Sequence, residues 1–229
     1  MSLIEIKKQS AEQLAADAVR DYILGGHIAP GARLTEAFLA ERLSLSRATV
    51  RGALQRMSQE GLLVLVPYTG WEVMSITSHD AWELYTLRAS LESLGARLAS
   101  ERIDGNGKTT LNQAYAQVVQ ACEAQDRKKI SLADFNLHRT IIALSGHTRL
   151  AQQYQFVEQQ ISLYIMWSDF IPKNLHTAVI QNHGPIVQAI LDGDGDKAAQ
   201  LSAAHNVNAG VKLVKHLQEL EQQSAALAR

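Results

Sequence analysis

One short stretch of this chain favours extended structure and almost everything around it favours helix, a contrast that leaves few folds open. The runs LLVLVP (62–67) and WEVMSI (71–76) are rich in β-branched and aromatic residues, and Tyr68-Thr69-Gly70 joins them in the pattern of a β-hairpin. No other segment reads as a strand. Before the hairpin, residues 10–25 repeat apolar side chains at helical spacing until Gly25-Gly26. A turn on Pro30-Gly31 follows. Thr35 is placed to cap a second helix with Phe38, Leu39, Ala40 and Leu43 on its apolar side. Ser46 is placed to cap a third, in which Val50, Ala53, Leu54 and Met57 follow the i, i+3, i+4, i+7 rule, and Gly61 stops it. A hairpin directly after a helix-turn-helix is a wing, so residues 1–76 are expected to form a winged helix-turn-helix.

Residues 77–229 are expected to be all helical, making the chain mostly α. Leu84, Leu87, Leu91, Leu94 and Leu98 form a heptad-like seam, and breaks fall at 105–108, Gly146, Pro172 and 193–195. About six helices with short connections imply an antiparallel bundle. Hydrophobic residues at 46% and charged residues at 20% are enough for a packed core with a wetted surface. No apolar run approaches the ~20 residues of a membrane span. The N-terminus lacks the pattern of a secretion signal. The single cysteine, Cys122, rules out an intrachain disulfide, so a cytoplasmic location is expected.

A net charge of −1 argues against indiscriminate binding of polyanions, yet Arg42, Arg47, Arg51 and Arg56 fall between residues 42 and 59 with no acid among them. On the third helix, Ala48, Arg51, Gly52 and Gln55 lie opposite the apolar stripe, with Arg47 in the first turn. An arginine fork can bond guanine O6 and N7 together. Gly52 costs a helix ~1 kcal/mol relative to alanine, so close approach to a groove is one reason to keep it. From residue types alone, a solvated arginine-rich face fits as well. The pieces Pro30-Gly31-x-Arg33-Leu34, Leu39-Ala40-Glu41-Arg42-Leu43, Ser46-Arg47-x-x-Val50-Arg51-x-Ala53-Leu54, Glu60-Gly61-Leu62 and Gly70 resemble the winged helix-turn-helix of the GntR family of regulators. The resemblance implies that Arg33, Arg47, Thr49 and Arg51 meet double-stranded DNA and that the wing tip at Thr69-Gly70 enters the minor groove. Ala48, Gly52 and Trp71 depart from the family's usual residues, and Trp71 is expected to pack under the wing.

In the second half, Asp134 and His138 interrupt the stripe Ile130, Leu137, Ile141 and Ile142. His183 interrupts Val179, Ile180, Ile186, Val187 and Ile190, and His205 shares a face with Ala198, Leu201 and Ala209. Buried ionisable groups need partners. One oxygen and three imidazole nitrogens suit a divalent ion such as Zn, Ni or Mn, and a buried Asp–His pair beside hydrogen-bonded core histidines suits the same residues. LYTLRASLE (84–92), DFNLH (134–138), NHGPIVQAI (182–190) and AAHN (203–206) resemble the FadR-type, or FCD, branch of those regulators. That resemblance implies a metal held by Asp134, His138, His183 and His205, and a small carboxylate effector bound with the help of Arg88. Arg88 could instead simply pair with Glu92 at i+4. Gly184-Pro185 suggests that its helix begins near His183 or bends there. The whole reads as a metabolite-responsive repressor acting as a homodimer on an inverted repeat. A metal-dependent enzyme and a sensor of the metal itself are the alternatives.

Overall fold

The computed structural model describes residues 9–167 and 175–227. The chain divides into two compact units, one of Met1–Ile76 with Ser162–Ser168, the other of Thr77–Ile161 with Asp169–Arg229.

The first unit runs α1 (Ala11–Leu24), β1 (Arg33–Leu34), α2 (Glu36–Leu43), α3 (Arg47–Gln59), β2 (Leu63–Val66) and β3 (Gly70–Val73). Ser10, Thr35 and Ser46 each accept a backbone N–H three residues on, so all three helices start on a hydroxyl cap. Ser44, in the left-handed conformation at φ 54°, ends α2 and makes the tight turn into α3. Ala15, Val19 and Ile23 of α1, Val50, Leu54 and Met57 of α3, and Leu62, Trp71 and Val73 of the hairpin share one core. Arg20 of α1 grips Glu60, the C-terminal cap of α3, through Nε and Nη2 at 3.0 and 2.7 Å, tying the two helices. The strand order is β1-β3-β2. Here the sequence expectation falls short by one strand. Two residues, Arg33 and Leu34, add to the hairpin by pairing with Glu72 and Trp71, and two residues are too few to show a period.

The second unit contains α4 (Ser78–Arg102), α5 (Gly105–Glu123), α6 (Arg127–Leu144), α7 (Thr148–Trp167) as far as Ile161, α8 (Leu175–Leu191) and α9 (Gly195–Leu227). Asp104 caps α5, so 105–108 opens that helix instead of separating two. Pro185 stands inside α8, which neither begins at His183 nor stops there. The break expected at Pro172 lies outside the described residues. The largest correction concerns α4. Its buried stripe is Ala81, Tyr85, Arg88, Ala89, Glu92, Gly95, Ala96 and Ala99, whereas Leu87 and Leu94 of the expected seam are 50% and 42% exposed. Small residues turn inward because α4 packs most extensively against α9, and at the closest approach only glycine fits. A Cβ on Gly210 would lie 2.6 Å from the Cβ of Tyr85. Gly210→Ala is therefore expected to cost about 1–3 kcal/mol, as overpacking does, read as a lower urea midpoint at unchanged slope. Among the described residues no helix is long and apolar enough to cross a membrane.

Candidate functional site

In the first unit α3 presents Arg47, Ala48, Arg51 and Gln55 to solvent while Val50, Ala53, Leu54 and Met57 face the core. Arg33 is exposed on β1. The Thr49 hydroxyl lies 2.8 Å from Ser46 Oγ, so it belongs to the helix cap. Arg51 is held by α2: its Nε and Nη2 donate to Glu36 Oε1 and Oε2 at 2.8 Å each. At the wing, the Thr69 hydroxyl donates to the carbonyl of Pro67 at 3.2 Å, and Gly70 takes φ 106°. The most protruding side chain there is Tyr68, fully exposed with φ 63°, a residue that sequence reasoning read only as part of the turn. Gly52 is half-buried, and a Cβ there would sit 2.6 Å from the carboxylate of Glu12 on α1. Glu12 is exposed and its carboxylate is the far end of a flexible side chain, so this contact alone does not require the glycine. Trp71 is buried in the core of the unit.

In the second unit α6, α8 and α9 bring three imidazoles together. Rings of His138 and His183 are 5.0 Å apart, His138 and His205 5.2 Å, and His183 and His205 4.4 Å. One nitrogen from each can be chosen so that all lie within 4.8 Å of one another. Asp134 Oδ1 is 3.1 Å from His183 Nε2, and Oδ2 is 3.9 Å from His138 Nε2. His138 and His183 are buried, whereas His205 and Asp134 are partly open. This is the set that the sequence pattern singled out, now at contact distance.

The far side of each ring fixes what the near side offers. His183 Nδ1 lies 2.8 Å from the carbonyl oxygen of Val179, which can only accept, so the proton belongs on Nδ1. His138 Nδ1 lies 2.7 Å from Glu92 Oε2, a carboxylate held well below its ordinary range. Burial opposes that charge, and the neighbouring Arg88 charge with hydrogen bonds from His138 and Asn206 overcomes it. With both rings neutral, both Nε2 atoms carry lone pairs and face one another at 3.0 Å, with the Asp134 carboxylate beside them. Three electron-rich atoms converging without a donor repel one another. A cation between them removes the conflict, and two nitrogens on one tetrahedral zinc are separated by about 3.3 Å. Burial, then the neighbouring imidazoles, pushes the His205 pKa well down, and burial first lowers that of His183, so both rings favour the neutral form that binds metals. The residues therefore fit a divalent ion. Backbone and carboxylate acceptors behind the ligands are the usual outer shell of such a centre.

Sequence reasoning read Glu92 only as a possible partner of Arg88. It is one, with Arg88 Nε donating to Oε1 at 2.6 Å, but its other oxygen serves both His138 and the Asn206 amide at 2.7 Å. The signal was available, because Glu92 falls one turn beyond Arg88 on a helix face occupied by alanine and glycine. Arg88 is 3% exposed, and its Nη2 is buried with no hydrogen-bond acceptor among the described residues. Its guanidinium carbon stands 5.7 and 5.9 Å from the ring centres of Tyr85 and Phe135. Nearby on α6 and α7, Arg139 Nε meets Glu158 Oε1 at 2.8 Å, and burial raises the pKa of that glutamate.

Family models account for both units. The model described as the FCD domain matches residues 83–208, and the one described as bacterial regulatory proteins, gntR family, matches residues 11–73. The chain belongs to the GntR family of regulators, in the branch that carries an FCD domain. The Nta operon transcriptional regulator of Aminobacter aminovorans is 27% identical over 179 residues, which is 78% of this chain and 83% of that protein. The gluconate operon transcriptional repressor of Bacillus subtilis is 25% identical over 87% of this chain and 83% of its own length. Among solved structures, E. coli McbR/YncC superposes with a TM-score of 0.76 at 21% identity, covering 91% of this chain and all of that one, and shares the fold. This GntR regulator is thus a DNA-binding transcriptional regulator with an effector-binding domain. These relatives are regulators and not enzymes, which removes the metal-dependent enzyme from the alternatives.

Proposed function

We propose that this regulator is a cytoplasmic repressor that binds an inverted-repeat operator as a homodimer and answers to a small carboxylate at a divalent-metal centre. The observation that carries the sensing half is the convergence of the Asp134 oxygen and the His138 and His183 Nε2 atoms, with His205 alongside, next to a buried Arg88 whose Nη2 lacks an acceptor among the described residues. Asp134, His138, His183 and His205 hold the ion, which is Zn, Ni or Mn by the mixture of nitrogen and oxygen donors. When bound, the ion supplies an open coordination position for a carboxylate oxygen. Arg88 contributes a charged donor to the same ligand while Glu92 keeps its guanidinium in place. A sugar acid or hydroxy acid suits such a pocket, and the gluconate operon in one relative's name is in keeping with that class. The effector acts only if it binds one arrangement of the dimer better than another.

On the DNA side, Arg33, Arg47, Thr49 and Arg51 are assigned to the duplex, with Thr69 and Gly70 of the wing directed at the minor groove. A two-fold dimer then reads two half-sites. The test begins with a duplex selected by the full-length protein from a randomised pool. Arg51→Ala is expected to weaken binding to that duplex by about 1–3 kcal/mol for each bidentate arginine–guanine pair it removes, and to relax the choice of base. Unchanged affinity in fluorescence anisotropy at matched salt would remove Arg51 from the interface.

A further inference from the structure

We infer that Glu36 positions Arg51 for base recognition, its carboxylate gripping one edge of the guanidinium so that the other edge is turned outward. The inference rests on the proposed reading that α3 enters the major groove, and it goes beyond it by assigning specificity to a residue that touches no base.

The stereochemistry is definite. A guanidinium carries five N–H donors: one on Nε and two on each Nη. Glu36 takes the Nε hydrogen and one Nη2 hydrogen, at 2.8 Å each. What remains is the edge formed by Nη1 and the second Nη2 hydrogen, a pair with the spacing of guanine O6 and N7. The exposure of the partners runs the right way, since the Arg51 side chain is 60% exposed and that of Glu36 23%. An exposed arginine without such a restraint explores many rotamers and is satisfied by any phosphate within reach. One already fixed in the free protein has less freedom to lose on binding.

Glu36 is itself anchored. It is the first residue of α2 behind the Thr35 cap, where the helix N-terminus favours a carboxylate. Arg51 holds the Glu36 carboxyl below the ordinary carboxylate range against the opposing effect of burial, with a smaller contribution from the Trp71 indole. Trp71 lies on β3 with 4% of its surface exposed. One carboxylate thus ties α2 to α3. A negative charge at a surface that meets phosphates lowers affinity for any duplex. Keeping one there makes sense if it improves selectivity at the expense of general attraction.

The experiment uses the full-length protein, the duplex selected from a randomised pool, and the same duplex with each G·C pair replaced in turn. Binding is followed by anisotropy at fixed salt. Glu36→Gln is expected to lose about tenfold in discrimination at the pair to which Arg51→Ala becomes indifferent. Affinity for a random-sequence duplex stays level or rises. Adding Glu36→Gln to Arg51→Ala changes discrimination no further. Glu36→Asp keeps the charge with a shorter reach, is expected to fall between wild type and Glu36→Gln, and carries the test if the glutamine variant melts early. Wild-type discrimination in Glu36→Gln, or an equal loss with and without Arg51, would overturn the inference while leaving the reading of α3 intact. If Arg51→Ala itself keeps every base preference, the reading of α3 fails and the role of Glu36 falls with it.

Discussion

Glu92→Gln is expected to destabilise the helical unit by about 3–5 kcal/mol, the usual penalty for removing one charge of a buried pair. Glu92 is 2% exposed and satisfies three groups at once: Arg88 at 2.6 Å and His138 and Asn206 at 2.7 Å. An amide has one acceptor where the carboxylate has two oxygens, and its NH2 end would point a donor at another donor. The Arg88 charge would then remain in the bundle interior without a counter-charge. The loss is not the net worth of the pair. A double replacement of Arg88 and Glu92 by apolar residues of similar volume is expected to recover most of it, since both desolvated charges are then absent. Urea unfolding followed by far-ultraviolet circular dichroism measures both variants. A loss below ~1 kcal/mol in Glu92→Gln would mean that solvent reaches the pair and screens it.

His183→Ala is expected to take the metal content from about one ion per chain to near zero in elemental analysis of the purified protein. Stability should follow the ion. A ligand that binds only the folded state at about 1,000 times its dissociation constant adds about 4 kcal/mol, so chelation of the wild-type protein should lower its melting temperature and reloading should restore it. The variant should melt at the same temperature with or without chelator. His183 is the informative choice because its Nδ1 is committed to the Val179 carbonyl, leaving Nε2 as the sole nitrogen available to an ion. If the wild-type chain takes up no Zn, Ni or Mn after reloading, Asp134, His138, His183 and His205 are a network sharing protons. The proposed sensing mechanism would then be wrong, and the DNA-reading unit would be unaffected.

Much of the fold was legible because its signals are local. Hydroxyl caps at Thr35 and Ser46, the apolar repeat from Val50 to Met57 and the turn at Tyr68–Gly70 are each written within a few consecutive residues. The inward placement of His138 and His183 was legible for the same reason, since each interrupts an otherwise apolar helical stripe. What the pattern misjudged was α4. A leucine repeat marks an apolar face, but which face is buried depends on the neighbour, and close packing on α9 selects alanine and glycine over leucine. Glu92 went unrecognised because a carboxylate on a helix is usually solvated. Its burial follows from partners on α6 and α9 that lie 46 and 114 positions away along the chain. Two-residue β1, and the grip of Glu36 on Arg51, are likewise products of tertiary packing.

The space that Glu12 occupies above Gly52 also bears on how this unit can change. A methyl group at position 52 would favour helix by ~1 kcal/mol, yet it would have to enter where the Glu12 carboxylate now lies at 2.6 Å. Because Glu12 is exposed and its carboxylate is the far end of a flexible side chain, the gain needs only a rotation of that side chain. The two positions are coupled through that rotation, and a smaller residue at position 12 would leave an alanine at 52 its full gain in helix propensity.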